Sequence, residues 1–284
     1  MKILVTGANG QLGAALRKIE APAEMFFTDV DTLNICDRDA VESFMRSNRV
    51  DTVVNCAAYT AVDKAEDCPD ECMRINRDAV QNLGAVAASI GAKVIHISTD
   101  YVFDGLSARP YREDDAVNPT SVYGATKLAG EQALAAVCND HIIIRTAWLY
   151  SETGNNFVKT MLRLGAERGV VGVVTDQRGT PTYAADLASA VVKILFSGKF
   201  VPGIYHYTDA GECSWYDFAV RIFALAGLKC KVNPLTTAEY PTRASRPAYS
   251  VLDKSKINTV YGIVPPQWEE SLERFIRQYL KIKI

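Results

Sequence analysis

Long apolar runs are missing from this sequence. No stretch approaches the roughly 18 apolar residues of a membrane-spanning helix, which sets aside a helical membrane protein. A dominant charge is missing as well: 31 Lys and Arg stand against 33 Asp and Glu, a formal net charge of −2. That balance speaks against a whole-surface electrostatic partner, so neither duplex nucleic acid nor an anionic membrane is expected. A signal-peptide core is also lacking, because the start Met1-Lys-Ile-Leu-Val-Thr-Gly7 has only three apolar residues before a Thr-Gly turn. The expected compartment is the cytoplasm, where thiols stay reduced.

Metal-ligand spacing is equally scarce. The seven cysteines are odd in number and scattered, and although Cys68 and Cys72 could share a helical face, no second Cys or His pair follows them. No metal site is expected. Internal repeats, low-complexity tracts and a Gly/Ser linker are absent too, so two tethered domains are not expected.

What remains is an ordinary globular composition, with 48% hydrophobic and 23% charged residues over 284 positions. A chain of this length buries about three quarters of its unfolded surface and needs no staple. Short apolar runs at Lys2–Thr6, Met25–Thr28, Thr52–Asn55, Lys93–Ser98 and His141–Thr146 read as strands. Between them the spacing is helical, as in Ala79, Leu83, Val86, Ala87 and Ile90, closed by Gly91. Continuous apolar strands separated by helices are what a parallel sheet covered on both faces requires. The fold expected is α/β, a doubly wound, Rossmann-like parallel sheet over residues 1–150. A smaller C-terminal α/β substrate-binding lobe is expected over 151–284, with some of its segments returning to the sheet. Helices are expected at about 156–167, 185–196, 216–226 and 269–281, and a strand near 204–207.

The first turn carries the clearest chemistry. Thr6-Gly7-Ala8-Asn9-Gly10-Gln11-Leu12-Gly13 places glycines at three-residue intervals, after a strand and at the opening of a helix. Such a turn lets a pyrophosphate approach the backbone and sit on the helix N-terminus. Asp29 ends the second strand, where a carboxylate bonds the adenosine ribose hydroxyls and repels a 2′-phosphate. No Arg or Lys follows in Val30-Asp31-Thr32-Leu33, so NADH is favoured over NADPH.

Tyr123 and Lys127, four apart in Val122-Tyr123-Gly124-Ala125-Thr126-Lys127, fall on one helical face. A phenol of pKa about 10 is a poor acid–base group at neutral pH, and a neighbouring ammonium helps it only in a partly desolvated cleft. Tyr-x-x-x-Lys alone is common. Joined to the glycine turn and to Ser98-Thr99-Asp100 at the end of the fourth strand, it resembles the extended short-chain dehydrogenase/reductases.

Further blocks narrow the resemblance. Ser98–Gly105 (STDYVFDG), Asn55–Asp63 (NCAAYTAVD), Arg145–Tyr150 (RTAWLY), Gly154–Met161 (GNNFVKTM), Asp176–Thr182 (DQRGTPT) and Ala244–Pro247 (ASRP) are similar to the dTDP-4-dehydrorhamnose reductase family. The resemblance implies reduction, by NADH or NADPH, of the 4-keto group of a dTDP-4-keto-6-deoxyhexose. It assigns the pyrophosphate to the Gly7–Gly13 turn through Gly10, Gln11 and Leu12, and the adenosine end to Asp29 and Asn34. Ala58, Tyr59 and Thr60 flank the nicotinamide side. Thr99 and Tyr123 bond the C4 oxygen, Tyr123 gives the proton, and Lys127 holds Tyr123 and the nicotinamide ribose. Asp100 and Trp148 shape the sugar pocket.

Two departures stand out: Asn34 where some relatives carry Asp, and Ala15 where bacterial members carry a Glu that joins a metal-bridged dimer. A homodimer of another kind is left open. A 4,6-dehydratase would place Asp-Glu after the Thr to remove water, and here Asp100 is followed by Tyr101. A non-catalytic nucleotide-binding regulatory subunit and a reductase of another dTDP sugar remain alternatives. Arg246, and less so Arg243, are candidates for the diphosphate or sugar. His96 and His206 read as core histidines, and Trp215 and Tyr216 as packing.

Overall fold

The computed structural model describes residues 1–281. Its central sheet has six strands: β1 (Lys2–Thr6), β2 (Glu24–Phe27), β3 (Thr52–Asn55), β4 (Lys93–Thr99), β5 (His141–Thr146) and, from the second half of the chain, Gly203–His206. Every pairing within it is parallel, and the last of these strands adds outside β5. The strand expected at 204–207 is thus an edge of the same sheet, shifted by one residue. Likewise β2 ends at Phe27, although Thr28 still bonds Val5 O at 2.9 Å.

Alternate residues of each strand feed opposite cores, which is why the strands read as unbroken apolar runs. On one face, Ile3, Val5, Ile95, Ile142 and Ile144 pack with Leu12 and Leu16 of α1 (Gln11–Arg17) and with Leu187, Val191 and Ile194 of a helix at Ala184–Leu195. On the other, Leu4, Val53, Val94 and Ile143 meet α2 (Arg38–Asn48), α3 (Ala79–Ile90) and α4 (Val122–Val137) through Val41, Met45, Leu83 and Leu134. Asp37 starts α2 by accepting the Ala40 N–H, and Gly91 ends α3 at φ +72°.

A second core joins α5 (Phe157–Glu167), α6 (the Ala184–Leu195 helix, at its first turn), α7 (Trp215–Ala226) and α8 (Trp268–Leu280) through Val158, Met161, Phe218, Ile222, Leu272 and Phe275. A two-stranded parallel pair, Val170–Val174 with Lys231–Leu235, lies against it. Pro234 hid the second of these strands from the sequence. A strand with a single neighbour tolerates a residue without an N–H. Among the described residues no helix is long and apolar enough to cross a membrane.

Candidate active site

The carboxyl ends of β1, β3, β4 and β5 open into one cavity of about 810 Å³. Its wall includes Gly7, Gly10, Gln11, Leu12, Asp29, Asn34, Ala58, Thr60, Thr99, Asp100, Tyr123, Lys127 and Trp148, residues that the sequence marked from widely separated segments. In an open α/β sheet this crevice is where ligands bind.

At one end stands the glycine turn. Gly7 has φ +64°, and a Cβ there would lie 2.6 Å from Ala57 N, so the turn after β1 rests directly on the backbone after β3. Asp29 pins this turn: its Oδ2 accepts the Asn9 N–H at 2.8 Å and its Oδ1 the Val30 N–H at 2.8 Å. Gln11 commits its side chain to the second half of the chain. Its Nε2 donates to Leu149 O at 3.2 Å, and its Oε1 accepts from Asn156 Nδ2 at 3.1 Å. Gly13 is absent from the wall; a Cβ there would lie 2.5 Å from Gly7 O, so this glycine lets α1 close on the turn.

At the other end α4 presents Tyr123 and Lys127. Ser121 caps the helix by accepting the Gly124 N–H at 3.1 Å, which puts Tyr123 in the first turn. Lys127 is buried; its Nζ donates to Ile97 O at 2.6 Å and lies 3.4 Å from His96 Nε2. Behind it runs a fixed chain. Asn55 Oδ1 accepts from Thr6 Oγ1 at 2.7 Å and from the Ala57 N–H at 3.1 Å, so Asn55 Nδ2 faces His96 Nδ1 at 3.0 Å. Burial pushes the Lys127 ammonium down to about 8, opposed by Glu131 and the thiols of Cys72 and Cys56. Burial and the Lys127 charge keep His96 neutral, well below its ordinary value. Burial also raises the Tyr123 phenol, with a hydrogen bond to Thr99 acting the other way.

Thr99 Oγ1 donates to Asp100 Oδ1 at 3.1 Å and accepts the Tyr101 N–H at 3.2 Å. Asp100 is pushed up to about 6 by burial, while the hydroxyls of Ser250 and Thr99 hold it down. Beneath them Ser98 Oγ donates to Glu131 Oε1 at 2.5 Å, and Arg145 Nη2 pairs with Glu131 Oε2 at 2.7 Å, both side chains buried. The edge of Tyr101 meets Tyr123 with ring centroids 5.5 Å apart.

Trp148 borders the cavity in a strained conformation, φ +47°, and its ring stacks on Trp215 at 3.5 Å. Trp215 therefore packs in the lobe as expected, but it does so as the backing of a cavity residue. Tyr59 and Arg246 are not on the wall. The Tyr59 backbone is clamped by Asn76, whose Oδ1 accepts its N–H at 2.8 Å and whose Nδ2 donates to its carbonyl at 3.1 Å. Arg246 makes a fork with Asp63, at 3.1 and 2.8 Å, and Arg243 pairs with Asp67 at 2.5 Å. His206 is buried, with its Nδ1 3.1 Å from Tyr111 O.

Several wall residues escaped the sequence. Cys36, Glu71, Arg74 and Ile75 line the cavity from segments that carried no site signal, and Val62, Gly154 and Asn155 from blocks that marked the family but gave these residues no role. Asn76 is buried at 0% exposure inside a π-helical turn, Arg74–Asp78, for which no sequence pattern exists.

The residues fit a dinucleotide. A glycine turn at the N-terminus of α1 borders the same cavity as the half-buried Tyr123 and the buried Lys127, so one extended ligand can engage phosphates at one end and carry out redox chemistry at the other.

A family profile described as RmlD substrate binding domain matches residues 1–281. The dTDP-4-dehydrorhamnose reductase of Sinorhizobium fredii is 44% identical to the chain, covering 97% of each. The crystal structure of a dTDP-4-dehydrorhamnose reductase from Clostridium acetobutylicum superposes with a TM-score of 0.95 at 47% identity, over 99% of this chain and 100% of that one. A Bacillus anthracis dTDP-4-dehydrorhamnose reductase, solved in complex with NADP, gives 0.94 at 40% identity over 98% of this chain and 99% of that one. The chain belongs to the dTDP-4-dehydrorhamnose reductase family.

Proposed function

We propose that this protein reduces the 4-keto group of dTDP-4-dehydro-L-rhamnose to give dTDP-L-rhamnose, using NADH or NADPH. The observation that carries the proposal is that buried Thr99 and Lys127 and half-buried Tyr123 share the wall of one cavity with the glycine turn. The turn from Gly7 to Leu12 and the Asp29–Asn34 segment would hold the adenosine and phosphates, while Ala58 and Thr60 would face the nicotinamide. When bound, the dinucleotide supplies the hydride.

The chain's own residues supply position and the proton. Thr99 Oγ1 and the Tyr123 hydroxyl would bond the C4 oxygen, and Tyr123 would donate its proton as negative charge develops there. Burial raises the phenol, which keeps it protonated at neutral pH but makes it a weaker acid, so release of its proton calls for a positive charge beside it. Lys127, anchored on Ile97 O, would favour the phenolate left behind. Trp148, held by Trp215, and buried Asp100 would shape the sugar site. Residues 1–150 would bind the dinucleotide and 151–284 mainly the sugar, with Gly203–His206 completing the sheet. The setting proposed is cytoplasmic, and the state of association a homodimer.

Oxidation of NADH and NADPH is followed with the dTDP-4-keto sugar, and the product's C4 configuration is read by NMR. Turnover to the L-rhamno product is expected. Binding without turnover would favour a regulatory nucleotide-binding role, and the opposite C4 configuration a different dTDP-sugar reductase.

A further inference from the structure

We infer that Arg74 is a phosphate-binding residue of the cofactor site and selects for the 2′-phosphate of NADPH. The inference rests on the dinucleotide reading above and extends it to which dinucleotide is preferred.

Among the described residues, the cavity wall carries two cationic side chains, Lys127 and Arg74. Lys127 is buried beside Tyr123 and bonded to Ile97 O. Arg74 is exposed and belongs to the adenosine end: Cys36 Sγ donates to Arg74 O at 3.9 Å, and the guanidinium's charge holds the Cys36 thiol down against the rise that burial imposes. Cys36 in turn continues the Asp29–Asn34 segment along the same wall.

Arg74 has no ion-pair partner among the described residues. Its neighbour Arg77 is taken by Asp78, and Glu71, one turn before on the same wall, makes no ion pair with it. An unpaired guanidinium on a concave surface suits a phosphate, which it can meet with two parallel N–H donors.

The backbone that carries Arg74 is anchored. Arg74–Asp78 is a π-helical turn between the helices Pro69–Met73 and Ala79–Ile90, a feature frequent at functional sites. Asn76, two residues on, grips both the N–H and the carbonyl of Tyr59, so this turn is fixed against the Ala58–Thr60 stretch of the cavity wall.

Asp29 opposes a 2′-phosphate less than its position suggests. Its two oxygens already accept the N–H groups of Asn9 and Val30, which offset part of its charge. The residues directly after Asp29 hold no cation, but the tertiary structure brings one to the same end from a distant segment.

The test uses the full chain and equilibrium binding without sugar. Affinities for NADPH and NADH are measured by nucleotide fluorescence, and those for adenosine 2′,5′-bisphosphate and 5′-AMP by calorimetry. Arg74→Met is expected to reduce the preference for the 2′-phosphorylated partner of each pair about tenfold, the lower end of what a hydrogen bond to a charged group contributes. Arg74→Lys, which keeps the charge but loses the fork, should retain only part of that preference, and added salt should erode it in the wild type. Equal losses for both members of a pair would place Arg74 on the pyrophosphate or the adenine, and an unchanged preference would place it in solvent; either result overturns the inference. If the wild type binds none of the four nucleotides, the dinucleotide reading itself fails, a distinct outcome.

Discussion

At the Tyr123 end of the cavity the titratable groups are buried and tied to partners, whereas at the Asp29 end they stand close to water. Lys127, Asp100 and His96 are displaced from their ordinary protonation by burial, and Glu131 is locked into a fork with Arg145. Asp29 is half-buried and accepts two backbone N–H groups, and the Arg74 side chain is exposed. A proton donor needs a fixed, dry setting, in which a single hydroxyl matters greatly. A phosphate site needs accessible charge and accepts smaller, screened contributions.

The largest effect is therefore expected at Tyr123. Tyr123→Phe keeps the ring against Tyr101 and removes the proposed proton donor, so kcat should fall about 10²–10⁴-fold. Dinucleotide titration should give an affinity within a few-fold of wild type. A kcat above a tenth of wild type would exclude Tyr123 as the acid.

Next comes the buried pair. Glu131→Ala leaves the Arg145 guanidinium uncompensated and the Ser98 hydroxyl unpartnered, and should cost about 3–5 kcal/mol in urea unfolding. The exposed pair Arg178–Glu212, broken by Glu212→Ala, should cost under about 1 kcal/mol. Equal losses would erase the contrast between buried and exposed charge.

Asp100 sharpens the contrast through pH. Its folded-state value of about 6 lies above the unfolded value, so the native state binds the extra proton between about pH 4 and 6 and loses stability as pH rises through that window. Above pH 6 the whole penalty is present. Asp100→Asn should accordingly raise Tm at pH 8 but hardly at pH 4, with a gain of up to about 3 kcal/mol. A gain independent of pH would mean that ionisation of Asp100 does not cause it.

The smallest effect belongs to the exposed end. Asp29→Ala removes a charge near the proposed adenosine site and frees the Asn9 N–H, so the NADPH/NADH ratio of kcat/KM should rise by a few-fold at low salt. A parallel fall for both cofactors would make Asp29 only a support of the turn.

Much of the Tyr123 end of the cavity was legible in the sequence because its residues lie on regular elements with fixed periods. Tyr123 and Lys127 are one helical turn apart, and Thr99 ends a strand. At the Asp29 end the glycine turn and Asp29 stood out, but Cys36, Arg74 and Ile75 reach the wall from a loop and a π turn without periodicity. Arg246 illustrates the limit: its residue type suits a diphosphate, but Asp63, far away in sequence, occupies its fork. Trp215 shows the reverse, a packing residue that also steadies the cavity through Trp148.

By itself the sequence determined the parallel α/β sheet, the glycine turn and the Tyr–Lys pair, because apolar periodicity, backbone freedom at glycine and helical spacing are local properties. Tertiary structure alone decided which charges are spent and which are free. It gave Asp29 two backbone donors, closed Arg246 on Asp63, buried Lys127 beside a neutral histidine and left Arg74 open on the wall. Those outcomes depend on which distant segments meet, and pairing and burial set the energy of a charge more strongly than its residue type does.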